Sequence, residues 1–425
     1  MKTSIETIRA RQILDCKARP VLEVDVITRG GCQGRAAAPT GTSVGMYEAF
    51  ILRDGDESEY EGLGVHSAVR MVEDIIAPAL QGMDVCDQEK IDLRMITLDG
   101  TKDKHKLGGN SIYSVSAACL RAAAACAGQP VYRYLAGHEL KTIPLPTFNV
   151  VNGGNNRGIR QAFNEFILAP YKAESVDEAV AMAVQVYRRL EKVIPHYCKN
   201  AEPFLGGSYG WAAPSEDPET ILNLMQEAVE QCGYTGRMAY CLDCASSEMY
   251  DKENGTYELN GSRVKSEELI QYMKMLTEKF PLLFVEDLLD ENDWDGFERA
   301  HKVLTRTNLI GDDFIVTNRE RLEEACRRNA VDGFILKPNQ VGTLTEALDT
   351  YRFAQQKGLL TIPSGRSGGV VGDIVADLSL GLETPISKNG APKSGERLDK
   401  MNSLLRASSE NPGSRPADLS RLIHF

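Results

Sequence analysis

An α/β fold is predicted, a small α+β unit leading into a barrel of parallel βα repeats, and three observations predict it. The run Val21 to Ile27 alternates apolar and polar residues and closes on Gly30-Gly31, as a half-buried strand before a turn should. From about residue 238, short apolar runs without alternation take turns with amphipathic helical stretches, which is how strands buried on both faces read. Between these textures lies Leu135 to Pro146, carrying a glycine and two prolines, so the predicted units are residues 1–138 and 139–425.

Taken in order, the strand at 21–27 is followed by a loop of small residues, Pro39 to Gly45, and by helical segments around 65–80 and 110–127. In the second unit the apolar runs are Met238–Cys244, Leu282–Val285, Asn308–Gly311, Gly333–Leu336 and Leu359–Pro363. Ile221, Leu222, Leu224, Met225, Ala228 and Val229 share one face of a helix over 219–232. Leu269, Ile270, Met273 and Leu276 do the same over 266–280.

With 48 Lys+Arg against 60 Asp+Glu, the 425-residue chain has a net charge of −12. Nucleic acid and anionic membranes require a basic field to replace the counterions of phosphate, so neither is an expected partner. The N-terminus has no apolar stretch of signal-peptide type, and the most apolar helix candidate, Ala117 to Ala127, is interrupted by Arg121. A soluble cytoplasmic protein is expected. The ten cysteines are scattered and read as free thiols. Cys241 and Cys244 form a C-x-x-C inside an apolar run with no second ligand pair downstream, a poor zinc or redox site.

The polar residues of the second unit carry the chemistry. Asp243 ends the first apolar run, while Glu286, Asp312 and Lys337 each stand just past a later one. Singly, such a residue is as well a helix cap or a surface group. In a closed βα barrel, however, every strand delivers its C-terminal residue to one face. Three carboxylates converging there repel one another unless a divalent cation lies among them, and hard oxygen ligands suit magnesium. A lysine beside that cation has its ammonium form disfavoured and can serve as a base. Three acids and a lysine suit removal of a proton α to a carboxylate, with metal stabilising the enolate.

The chain resembles the enolase (phosphopyruvate hydratase) family over nearly its whole length. The matching stretches are Ile13-Leu14-Asp15, Arg53-Asp54-Gly55-Asp56, Leu98-Asp99-Gly100-Thr101, Phe148-Asn149-Val150-Val151-Asn152-Gly153-Gly154, Glu286-Asp287, Gly311-Asp312-Asp313 with Val316-Thr317-Asn318, Leu336-Lys337-Pro338-Asn339-Gln340-Val341-Gly342-Thr343, and Gly390-Ala391-Pro392 with Glu396-Arg397-Leu398. The resemblance implies an α+β capping domain and a modified (β/α)8 barrel, assembled as a homodimer or higher homo-oligomer. It implies a lyase acting on a small phosphorylated carboxylic acid. By resemblance, Asp243, Glu286 and Asp312 hold a structural magnesium ion, Ser43 in the loop 39–45 holds a second that comes with substrate, and Lys337 is the base. Lys388 contacts the substrate carboxylate and enolate, and Arg366 with Ser367 holds its phosphate. Without the resemblance, Arg366 reads as a loop arginine and Lys388 as a solvated lysine.

The departures from the family pattern fall on one side. Where the family has an acid that helps expel the β-hydroxide, this chain has Tyr209; a mobile histidine near the phosphate is replaced by Asn156; and a histidine facing the leaving group is replaced by Gly365. Glu165 is the carboxylate retained on that side. The expectation is that α-deprotonation persists, with Glu165 or Tyr209 assisting departure of the β-substituent. A phenol protonates a leaving group far less readily than a carboxylic acid, and general-acid help is worth about 10²–10⁴-fold, so efficient loss of hydroxide is doubtful. A different β-substituent, a phosphonate analogue, or a fold kept only for binding are the other readings, and Tyr209 and Trp211 could simply pack an emptied pocket.

Overall fold

The structure is a computed structural model that describes residues 1–41, 45–198 and 202–425. The N-terminal unit is an antiparallel sheet of β1 (Ile5–Leu14), β2 (Pro20–Thr28) and β3 (Gln33–Ala37), covered by α1 (Gln88–Asp99) and α2 (Gly109–Cys126). The residues of α2 are mostly small, which lets it lie against the sheet. A Cβ on Gly34 of β3 would fall 2.0 Å from the carbonyl oxygen of Ala118, so only glycine permits that approach. Leu22, Val24, Val26, Ile112, Val115 and Leu120 form the core between the layers.

The second unit begins with a hairpin rather than a βα repeat. β4 (Leu145–Asn156) and β5 (Ile159–Ala169) pair antiparallel, and α3 (Val176–Tyr197) and α4 (Pro218–Gln231) follow. Six strands then come in succession: β6 (Ala239–Asp243), β7 (Leu282–Glu286), β8 (Asn308–Gly311), β9 (Gly333–Leu336), β10 (Leu360–Pro363) and β11 (Ile386–Lys388). Between and after them run α5 (Ser266–Lys279), α6 (Trp294–Val303), α7 (Arg319–Arg328), α8 (Leu344–Lys357), α9 (Val375–Gly381) and α10 (Gly395–Glu410). The sheet order is β10-β9-β8-β7-β6-β5-β4-β11, and a parallel bridge between Ser364 and Lys388 closes it into a barrel. Only β5 runs against both neighbours.

Inside the barrel, Ile167, Cys241, Ile310, Ile335, Ile362 and Ile386 form a plug. Side chains alternate along a strand, so the residue two positions toward the open end shares the interior face. Those residues are Glu165, Asp243, Asp312, Lys337, Ser364 and Lys388. Core and chemistry are thus consecutive layers of one face, the usual construction of a barrel whose strand ends carry the site. Cys241 belongs to the plug and Cys244 to the outer core between strands and helices, so the C-x-x-C faces two layers and gathers no metal.

The cap docks on α8. The Asp92 carboxylate accepts the Thr345 N–H (3.0 Å) and hydroxyl (2.6 Å), and Lys104 pairs with Glu346 at 2.9 Å. Among the described residues no helix is long and apolar enough to cross a membrane.

Candidate active site

A cavity of about 200 Å³ opens at the C-terminal end of the barrel strands, between them and the loops of the cap. Strand register places three acids side by side: Glu165 pairs across β5 and β6 with Asp243, and Asp243 across β6 and β7 with Glu286. One ammonium serves all three. Lys388 Nζ donates to Asp243 Oδ2 at 2.8 Å and to Glu286 Oε2 at 2.7 Å, and lies 3.4 Å from Glu165 Oε2. Burial holds the Glu286 carboxyl well above the usual range, the Asp243 charge adds to this, and Lys388 opposes it. Lys388 itself is held well above the ordinary lysine value, its burial outweighed by Asp243, Glu286 and Glu165.

Asp312, from the end of β8, pairs with Lys337 Nζ and accepts Gln340 Nε2 at 2.9 Å. Burial would raise its carboxyl, but Lys337 and Lys388 prevail and lower it. The turn after β8 has two β-branched residues at positive φ, Val316 (49°) and Thr317 (57°), a strained arrangement with a clear outcome. Thr317 Oγ1 accepts the Lys337 N–H (2.9 Å) and donates to Gln340 Oε1 (2.8 Å), so one hydroxyl aligns both residues that face Asp312. The pKa of Lys337 moves up: burial pushes it down, and the facing Asp312 carboxylate outweighs burial. A lysine beside a divalent cation was expected to shift the other way; the acids facing Lys337 directly account for the difference.

The tightest acidic cluster among the described residues is Asp287, Asp312 and Asp313, with ligand atoms within 4.8 Å of one another. Asp287 is already committed to the backbone. Its two oxygens accept the N–H groups of Asp312 (2.9 Å), Asp313 (2.7 Å) and Phe314 (3.4 Å), and burial with the Asp312 charge pushes its pKa up to about 8. It shapes the turn that carries Asp312. Glu286, by contrast, has a buried Oε1 with no hydrogen-bond partner. A buried carboxylate oxygen without a donor, beside Asp243 and Asp312, fits a hard divalent cation, so the chemistry of this donor set agrees with magnesium.

Arg366 and Ser367 line the cavity on the loop after β10. The Arg366 guanidinium forks onto Glu48, Nη1 to Oε2 at 2.7 Å and Nη2 to Oε1 at 2.9 Å, with both side chains buried. The Glu48 contact was not foreseen; the two residues are far apart in the chain and no local pattern joins them. Asn149 donates to Glu165 Oε1 at 2.5 Å and was likewise missed as a site residue.

Two expected residues are directed elsewhere. Tyr209, at φ 66°, donates its hydroxyl to the Cys16 carbonyl at 2.6 Å, and its ring lies under the Arg397 guanidinium. Its proton is therefore engaged with the cap backbone rather than offered to the cavity. Asn156, at the tip of the β4–β5 hairpin, donates to the carbonyls of Gly153 (3.0 Å) and Asn152 (3.4 Å) and steadies that tip. Trp211 stacks on Tyr187 at 5.5 Å and donates to the Tyr187 carbonyl at 2.9 Å, which makes it a packing residue. Ser43 lies outside the described residues.

Comparison with known proteins agrees with this architecture. The profile of the enolase N-terminal domain matches residues 5–135, and that of the enolase C-terminal TIM barrel domain matches residues 140–415. The enolase of Methanococcus aeolicus is 40% identical over 404 residues, covering 95% of this chain and 94% of the relative. That of Methanopyrus kandleri is 40% identical over 412 residues, 96% of each. With both profiles spanning nearly all of the chain, and with acids and lysines gathered at one end of the barrel, the chain belongs to the enolase family of carbon–oxygen lyases.

Proposed function

We propose that the chain is a magnesium-dependent lyase. It removes the α-proton of 2-phosphoglycerate or a related phosphorylated or phosphonylated carboxylic acid, and a β-substituent leaves to give phosphoenolpyruvate or an analogue. The observation that carries this reading is the row Glu165, Asp243 and Glu286 on adjacent strands, with Lys388 among them and the Lys337–Asp312 pair beside it.

Asp243, Glu286 and Asp312 would hold magnesium, and Ser43 a second ion arriving with substrate. Bound there, magnesium supplies Lewis-acid stabilisation of the negative charge that builds on the substrate carboxylate. Lys337 is the group placed to take the α-proton, and the Thr317 hydroxyl fixes the backbone from which it reaches. Lys388 keeps a positive charge against the carboxylate end of the ligand. Arg366 presents a planar fork suited to phosphate, with Ser367 beside it. Glu165 is the carboxylate nearest the departing group. A homodimer or larger homo-oligomer working in the cytoplasm is part of this reading on family resemblance alone.

A changed second half-reaction is the second reading, favoured by the Tyr209 hydroxyl resting on the Cys16 carbonyl. One experiment separates the two halves. In deuterated water with magnesium and 2-phosphoglycerate, α-proton exchange and phosphoenolpyruvate formation are followed independently. Exchange is expected with or without product; absence of exchange would remove the lyase reading for this substrate.

A further inference from the structure

Gly365 lies between Ser364 and Arg366, and its N–H points to the Lys388 carbonyl at 3.5 Å, so it borders the cavity beside the second lysine. The space above it is occupied. A Cβ at position 365 would lie 3.2 Å from Lys400 Nζ and 3.3 Å from Lys400 Cε. Glycine therefore makes room for the head of Lys400, which lines the cavity together with Arg397 from the same helix, α10. The Lys400 side chain is only 2% exposed.

Both cations share one carboxylate. Lys400 Nζ donates to Glu396 Oε2 at 2.6 Å, and Arg397 Nη1 donates to Glu396 Oε1. The other acid near Lys400 is Asp373, whose Oδ2 is buried without a hydrogen-bond partner; burial raises its pKa against the pull of Lys400. The wall over Gly365 thus turns two cations toward the cavity behind a single paired acid. On the same side, the Tyr209 hydroxyl is spent on Cys16, and Glu165 receives donors from Asn149 and faces Lys388. Such a wall suits a substituent that leaves already as an anion. Hydroxide needs a proton to depart; phosphate does not, and a charge-assisted hydrogen bond from Lys or Arg stabilises it directly.

We propose that the β-substituent expelled by this protein is a phosphate-type anion held by Lys400 and Arg397 over Gly365, so that the substrate is an acid phosphorylated on both C2 and C3. This rests on the lyase reading above. The step balances without any further reagent. Lys337 takes the C2 proton, the C–H electron pair forms the C2–C3 double bond, and the C3–O bond breaks with its pair going to phosphate. From 2,3-bisphosphoglycerate the products are phosphoenolpyruvate and inorganic phosphate, and the proton on Lys337 returns to solvent.

The full chain with magnesium is assayed on 2,3-bisphosphoglycerate for phosphate release and phosphoenolpyruvate, and on 2-phosphoglycerate for product and for α-proton exchange in deuterated water. The expected kcat/KM for the bisphosphate exceeds that for 2-phosphoglycerate by at least about tenfold, and Lys400→Met brings the ratio near one. Because Lys400 is buried, Gly365→Ala is the second variant. Gly365 does not adopt positive φ, and the added methyl displaces only the flexible end of Lys400, so the same fall in ratio is expected in a folded protein. A ratio unchanged in both variants overturns the role of Lys400. Exchange on 2-phosphoglycerate with no phosphate released from the bisphosphate overturns the inference and leaves the lyase reading standing; failure of both reactions overturns both.

Discussion

Lys388 Nζ lies 2.7 Å from Glu286 Oε2, while Oε1 of the same buried carboxylate has no hydrogen-bond partner. The ammonium satisfies half of the glutamate and leaves the other half to a ligand. Magnesium added after chelation should therefore raise the Tm, since an ion that binds only the folded chain stabilises it by about 2.7 kcal/mol at a hundred times its Kd. Glu286→Gln should show most of that rise lost. An equal rise in both proteins would place the ion elsewhere.

The Lys337–Asp312 pair separates charge from basicity. Lys337→Arg keeps a cation against Asp312, so the fold and its Tm should hold, yet a guanidinium accepts no proton at ordinary pH. Both Lys337→Arg and Lys337→Ala are expected to slow α-proton exchange by at least about 10²-fold, within the range of lost general-base help. Exchange persisting in the arginine variant would take the base role from position 337.

The barrel was legible because its functional residues interrupt apolar runs two positions beyond plug residues, as Asp243 follows Cys241 and Lys337 follows Ile335. Other features left weaker traces. α1 has charged or amide side chains at Gln88, Glu89, Lys90, Asp92 and Arg94, with Ile91 and Met95 its buried apolar residues, so its periodicity is thin. The β4–β5 hairpin turns through Arg157 (φ 51°) and Gly158 (φ 89°), and arginine is not a residue that signals a left-handed turn. The fork of Arg366 on Glu48, the hold of Asp287 on the 312–314 backbone and the aim of the Tyr209 hydroxyl depend on segments that only the folded chain brings together.

Glu48 grips both terminal nitrogens of Arg366 and so fixes the plane of the guanidinium that borders the cavity. Lysine at 366 keeps the charge and loses the fork. Arg366→Lys is expected to raise the KM for a phosphorylated substrate about tenfold, equivalent to about 1.4 kcal/mol, with a smaller change in kcat. Steady-state kinetics on the two proteins decide it; a change confined to kcat would mean that Arg366 acts on the reaction and not on phosphate binding.

The Tyr209 hydroxyl can be tested apart from its ring. Tyr209→Phe removes the hydrogen bond to the Cys16 carbonyl and keeps the ring under Arg397, so stability should fall by about 1 kcal/mol. Product formation should change by less than about threefold, against the 10²-fold or greater loss that removal of a general acid brings. A loss on that larger scale, with α-proton exchange intact, would return the phenol to the chemistry.

Asp377 on α9 gives the stability of the fold a pH dependence of definite sign. Burial pushes its carboxyl up to about 6, with Arg121, 3.7 Å away, working against the shift. An unfolded aspartate titrates near 3.9, so between about pH 4 and pH 6 the folded chain keeps a proton that the unfolded chain has released. Proton binding then favours the folded state at the acid end, and this contribution is lost as pH rises through the window, flattening above about 6. For a side chain a quarter exposed, the loss should amount to about 1–2 kcal/mol. Asp377→Asn has no such proton to lose. The difference in unfolding free energy, wild type minus variant, measured by denaturant titration from pH 4 to 8, should fall with pH up to about 6 and then stay level. A difference that climbs with pH over the same interval would mean that the ion pair with Arg121, and not burial, governs the carboxyl.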